Sequence, residues 1–168
     1  MRLAILVTAL SLTGCGYHVA GTTNALPANI VSIAVPAFGN VSTQYKVSDY
    51  LATAITRELI TRTKYHITAD PNGADAVLSG AVVNFVSYPT IVDNKSGRNT
   101  AVQVIVAVTI TLRDKSGAVL YSRPNFEIHE RYEISIDPRN YFDESEAAMQ
   151  RLSQDVARSV VSAVLEKF

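Results

Sequence analysis

The clearest pattern in the chain is an alternation of apolar and polar residues from Ala101 to Asp114. Apolar side chains occupy the even-numbered positions of this segment, and polar residues such as Thr109 and Thr111 occupy odd-numbered ones. A period of two predicts a β-strand with one buried face and one more polar face. Similar patterns predict three further strands, at 30–38, 76–88 and 118–136, and the last of them is expected to break near Arg123-Pro124. A short strand is also indicated near Ile67.

Two segments show the period of an α-helix instead. In Lys46–Arg62, apolar residues recur at every fourth position from Val47 to Leu59, which predicts a helix with one core-facing stripe. Further on, Asp143 and Glu146 have the spacing of a capping box that opens a second helix. The apolar stripe of this second helix runs to the C-terminus through Met149, Leu152, Val156, Val160 and Val164.

The order of these elements is strand, helix, three long strands and helix. This order predicts an α+β fold, a two-layer sandwich in which one mixed four-stranded sheet carries two helices on one face. The other face of the sheet is expected to meet water or a partner surface, because its predicted residues are mostly polar. They are Thr109, Thr111, Glu127, His129 and Arg131.

The N-terminus has the pattern of an export signal. A positive residue, Arg2, precedes an apolar run from Leu3 to Leu12 that is too short to cross a bilayer as a helix. The run ends in Leu12-Thr13-Gly14-Cys15, which resembles the lipobox of bacterial lipoproteins and implies acylation of Cys15. An ordinary secretory signal followed by an unrelated Cys is the alternative. We therefore predict a signal peptide at 1–14, a lipidated tether at 15–29 and a single α+β domain at 30–168.

Composition and charge exclude several classes of protein. Hydrophobic residues make up 48% of the chain, enough for a packed core. The 15 basic and 15 acidic residues balance, which argues against a nucleic-acid-binding protein. Cys15 is the only cysteine, so the domain is expected to fold without an intramolecular disulfide.

A search for catalytic or metal-binding patterns favours a non-catalytic protein. None of His18, His66 and His129 has a second His or Cys at a metal-ligand spacing, and no phosphate-binding loop or nucleophile elbow is present. Acidic residues around Glu146 suit a helix N-terminus better than an acid–base pair. We expect no cofactor, no metal and no enzymatic activity, and a binding or assembly role is favoured.

Several segments together resemble the lipopolysaccharide-assembly lipoprotein family, LptE. The resemblance covers nearly the whole chain after the signal, in the same order of elements. The segments that carry it are Cys15-Gly16-Tyr17-His18-Val19, Leu26-Pro27, the strand phrase from Ile33 to Asn40, Arg57-Glu58-Leu59, and the phrase from Ala74 to Gly80.

The resemblance implies a small outer-membrane lipoprotein that sits as a plug in the lumen of a β-barrel translocon subunit, LptD. It further implies a role in assembling that barrel and in inserting lipopolysaccharide into the outer leaflet, without catalysis. Basic residues in two loops are associated with lipopolysaccharide binding in this family. In this chain Lys95 falls at the matching place in the segment 89–100, where Arg98 offers a second cation, and Arg139 is the basic residue found after the last strand. The alternative is that Lys95 and Arg98 are solvated turn charges.

Two other functions remain open from the residues alone. One is an accessory lipoprotein of another secretion pore or of peptidoglycan synthesis. The other is an envelope enzyme, which the lack of a catalytic pattern disfavours.

Overall fold

The structure, a computed structural model, describes residues 26–134 and 145–166. Over these residues the chain forms two helices and one mixed sheet, which confirms the predicted α+β class. The elements are β1 (Ser32–Ala34), β2 (Gly39–Asn40), α1 (Lys46–Arg62), β3 (His66–Thr68), β4 (Ala76–Val92), β5 (Asn99–Asp114), β6 (Val119–Glu133) and α2 (Ser145–Glu166). The six described strands form one sheet in the order β3-β1-β4-β5-β6, with β2 beside β4.

The predicted count of four strands is wrong because two further short strands, β2 and β3, also join the sheet. Within residues 30–38 only Ser32–Ala34 pair in the sheet, and a second short strand follows at Gly39–Asn40. Pro36 lies between them and has no N–H to give to a ladder. β1 pairs in parallel with both β3 and β4, and β2 pairs in parallel with β4.

The long strands extend further than the sequence indicated. β4 continues to Val92 and β5 begins at Asn99, so half of the segment 89–100, predicted as a polar turn, belongs to the hairpin arms. The break predicted at Arg123-Pro124 is a bulge in a continuous strand. Ile110 pairs with Arg123 and Val108 with Phe126, so the register shifts at this point.

Both helices pack on one face of the sheet. The even-numbered apolar residues of β5 are buried in a single core with the apolar stripes of α1 and α2, as the two periods predicted. The core also includes Leu26, which is only 3% exposed and precedes the predicted start of the domain at residue 30. Asp143, the predicted capping residue, lies outside the described residues.

The carboxylate of Asp75, just before β4, links β4 to the start of the neighbouring parallel strand β1. Its Oδ2 atom accepts hydrogen bonds from the backbone N–H groups of Val31 and Ser32 at 3.0 and 3.1 Å, and from the Ser32 hydroxyl at 3.0 Å. The Ser32 hydroxyl in turn accepts the N–H of Asp75 at 3.0 Å. These bonds, first that from Val31, hold the pKa of Asp75 below its ordinary value, with Lys115 adding a smaller effect.

A close aromatic contact requires glycine on the core side of β4. The ring of Phe38 lies over Gly80, where an added Cβ would approach its Cε2 atom to 2.3 Å. Phe38 is buried in the core, so its ring has little room to move.

Candidate functional surface

The face of the sheet opposite the helices, called here the outer face, is built from the odd-numbered residues of β5 and their neighbours on β4 and β6. On the β6 side, Glu127, His129 and Arg131 are exposed and lie opposite Ala107, Ile105 and Gln103 of β5. Thr109 and Thr111 are half-buried in the middle of the sheet. This part of the outer face is polar, as the sequence predicted.

The β4 side of the outer face is apolar, which the sequence analysis did not anticipate. Val86, Tyr88 and Ile91 are 43%, 43% and 47% exposed. They pair with Ile105, Gln103 and Ala101 of β5, so all three point away from the helices. We call these three residues the apolar strip. Contiguous exposed apolar residues are typical of surfaces that contact a partner or a lipid.

The apolar strip leads to a hydrogen-bonded hairpin turn at residues 93–98, called here the tip. The Asp93 carboxylate accepts hydrogen bonds from the backbone N–H and the hydroxyl of Ser96, at 2.7 and 2.6 Å. Gly97 adopts a φ of 68°, in the left-handed region that favours glycine. The Ser96 bonds hold the pKa of Asp93 below its ordinary value, so the turn is stabilised while this group is ionised.

Two of the predicted site residues lie together on the tip. Lys95 and Arg98 are both exposed, and neither side chain has an ion-pair partner within residues 26–134 or 145–166. Such side chains are able to donate charge-assisted hydrogen bonds to phosphate or carboxylate oxygens. The other two predicted residues, Cys15 and Arg139, lie outside the described residues.

The part of the chain that the structure describes contains no group of His, Cys, Asp and Glu residues able to hold a metal ion. The two described histidines, His66 and His129, are exposed and lie in β3 and β6. Neither described helix is long and apolar enough to cross a bilayer.

Solved structures with a similar fold share little sequence with this chain. PelC from Paraburkholderia phytofirmans, solved as a dodecamer, is 22% identical with a TM-score of 0.54, and the match covers 84% of this chain and 91% of that one. A putative lipoprotein from Caulobacter crescentus is 16% identical with a TM-score of 0.54, covering 77% and 88% of the two chains. Likeness at this level of identity shows a shared fold.

No curated protein sequence matches this chain. The model of the family described as "LptE: Lipopolysaccharide-assembly" does match it, over residues 30–164. The match runs from before β1 into the last turn of α2 and so includes the whole sheet. The LptE family comprises non-catalytic outer-membrane lipoproteins of lipopolysaccharide assembly, and this chain belongs to it.

Proposed function

We propose that this chain is anchored to the outer membrane through acylated Cys15, on the periplasmic side, and plugs the lumen of an LptD-type β-barrel. In this role it helps the barrel to assemble and assists the insertion of lipopolysaccharide into the outer leaflet. The observation that carries the proposal is the outer face, in which an exposed apolar strip and a polar row of side chains adjoin a tip with two cations that have no ion-pair partner among the described residues.

A plug for a large barrel needs a core of its own and a surface that suits a polar lumen. Both described helices bury their apolar stripes against the sheet, so the domain does not depend on the barrel for its core. Its exposed groups are mostly polar, and the chain has a formal net charge of zero. The apolar strip then provides a restricted area for contact with the partner.

Lipopolysaccharide carries phosphate groups, and the tip presents cations that can meet them. Lys95 and Arg98 stand on a turn whose backbone is fixed by the Asp93–Ser96 hydrogen bonds, so little backbone freedom is lost when they bind. We assign Arg139 to the same ligand on the basis of the family resemblance. The attraction is between exposed charges and therefore weakens as salt rises.

The ligand part of the proposal is tested by Lys95→Glu with Arg98→Glu, assayed for binding to purified lipopolysaccharide at low and high salt. We expect roughly tenfold weaker binding at low salt, with a smaller difference at high salt. The matched control is Arg57→Glu with Lys64→Glu, which changes the net charge equally on the exposed surface at α1 and just after it. Unchanged binding in the tip variant, or an equal loss in the control, would reject the tip as the site.

The anchor and the partner are tested in cells. Wild-type protein should incorporate labelled palmitate and Cys15→Ala should not. Purification of the wild-type chain from detergent-solubilised outer membrane should recover a large β-barrel protein in equal amount. Recovery of a peptidoglycan-synthesis or secretion protein in its place would favour the alternative functions.

A further inference from the structure

The last strand of the sheet, β6, has an open edge. It pairs with β5 on one side, and among the described residues no strand pairs with it on the other. β6 is 15 residues long, and an open edge of this length is a template for pairing with another chain. The bulge at Asn125 divides it, so the regular part of the edge runs from Phe126 to Glu133.

Two contacts show which residues of β6 direct their backbone groups to this edge. The N–H of Ile134 donates to the Thr100 carbonyl at 3.0 Å, and the Glu130 carbonyl accepts from the Gln103 side chain at 3.0 Å. Even-numbered residues therefore direct their N–H and C=O groups toward β5. In an antiparallel ladder the odd-numbered residues then direct theirs to the open edge.

We propose that a second copy of this chain pairs with this edge, antiparallel, about a two-fold axis through His129. In this register Glu127 lies opposite Arg131 of the second copy, and Arg131 lies opposite its Glu127. Both side chains are exposed, and neither has an ion-pair partner in the part of the chain that the structure describes. Opposite charges directly across an antiparallel pair stabilise it.

The charges along the strand select this register over its neighbours. An axis at Glu130 would place Glu127 opposite Glu133, and an axis at Arg131 would place two arginines together. An axis at Ile128 would leave Arg131 opposite Asn125. The axis at His129 gives two ion pairs, and on the helix side it also places Phe126 opposite Tyr132, an aromatic pair that favours strand association.

This pairing does not rest on the proposed function. Its argument uses only the backbone edge and the charges of β6, although the polar side chains of β6 also belong to the outer face proposed to meet the barrel. It describes the chain when it is not bound to a barrel.

Single cysteines test the register in the acylated chain, purified in detergent away from any barrel. Residues at the axis lie directly opposite their own copies, with Cα atoms about 5.5 Å apart, within the range of a disulfide. We expect His129→Cys to form a disulfide-linked dimer under mild oxidation. Glu127→Cys is the matched control, because its own copy would lie four residues along the strand, about 13 Å away. Glu127→Cys combined with Arg131→Cys should link again.

Equal crosslinking of the two single variants, or crosslinking of Glu127→Cys alone, would overturn the proposal. Wild-type chain is the background control, since its only cysteine, Cys15, is expected to be acylated. Circular dichroism on each variant separates a failure to pair from a failure to fold.

Exchange of the charges gives a second, independent test by sedimentation of the mature chain in detergent. Glu127→Arg or Arg131→Glu alone places like charges opposite each other twice and should weaken the dimer about tenfold or more. The double variant restores opposite pairs and should return close to wild-type affinity. A double variant as weak as the single ones, a monomeric wild-type chain, or an assembly larger than two copies would each contradict the proposal.

Discussion

The two faces of β5 differ in what they do, although they alternate along the same strand. The even-numbered residues from Val102 to Leu112 are buried against the helices. Of the odd-numbered ones, Gln103, Ile105, Thr109 and Thr111 are half-buried on the outer face. The first set holds the domain together, and the second belongs to the surface proposed to meet a barrel and lipopolysaccharide. One strand therefore separates stability from binding, and substitutions on the two faces should have different consequences.

The largest effect is expected where a charge enters the buried face. Val106 is fully buried, so Val106→Asp places an unpaired carboxylate in the core and should destabilise the domain by several kcal/mol, about 3 or more, enough to unfold it. Thermal unfolding followed by circular dichroism measures this. Thr109→Asp on the same strand is the control and should cost about 1 kcal/mol or less. Equal destabilisation by the two changes would reject the assignment of the faces.

A smaller effect is expected at the contact between Phe38 and Gly80. Gly80→Ala forces the buried Phe38 ring to move and should cost about 1–3 kcal/mol, measured by chemical denaturation. In a Phe38→Ala background the same change should cost much less, because the clash is removed. Additive losses in the double variant would show that this contact is not the cause.

A still smaller, pH-dependent effect is expected at Asp75. Its lowered pKa means that the folded state favours the carboxylate, so its contribution is present above the unfolded pKa of about 3.9 and is lost as pH falls through the lower folded value. Asp75→Asn should therefore lower the melting temperature at pH 7. The difference from wild type should shrink below pH 4. A difference that is constant with pH would show that the charge of Asp75 contributes nothing.

Local patterns in the sequence predicted the elements that depend on local periodicity. The bounds of α1 agree with the structure because its apolar stripe recurs regularly from Val47 to Leu59. The first strand was predicted too long, at 30–38, and Gly39-Asn40 was predicted as a turn, because the pairing of β1 and β2 depends on β3 and β4, which are distant in sequence. The end of β4 was placed too early, at Tyr88. Pro89 reads as a strand end in sequence, yet here it pairs opposite Val102 and the strand continues past it.

The candidate site was also predicted only in part. Lys95 and Arg98 were identified through the family resemblance, and the structure places both on the tip, while their role stays a prediction. The apolar strip was missed because periodicity alone does not show which face of β4 the helices leave uncovered. The alternation of Val86 and Tyr88 with polar residues was the available signal, and extending it past Pro89 would have included Ile91.

The central claim is that the outer face binds the barrel without contributing much to stability, and one matched pair of variants tests it most directly. Ile91→Asp alters the apolar strip, and Ile60→Asp makes the same change at an exposed isoleucine on α1, 60% exposed against 47% for Ile91. The measurement is the amount of barrel protein recovered with each variant from solubilised outer membrane, alongside its melting temperature. We expect Ile91→Asp to recover little barrel and Ile60→Asp to recover as much as wild type, with both melting temperatures near wild type. Full recovery with Ile91→Asp, or equal loss with Ile60→Asp, would contradict the account.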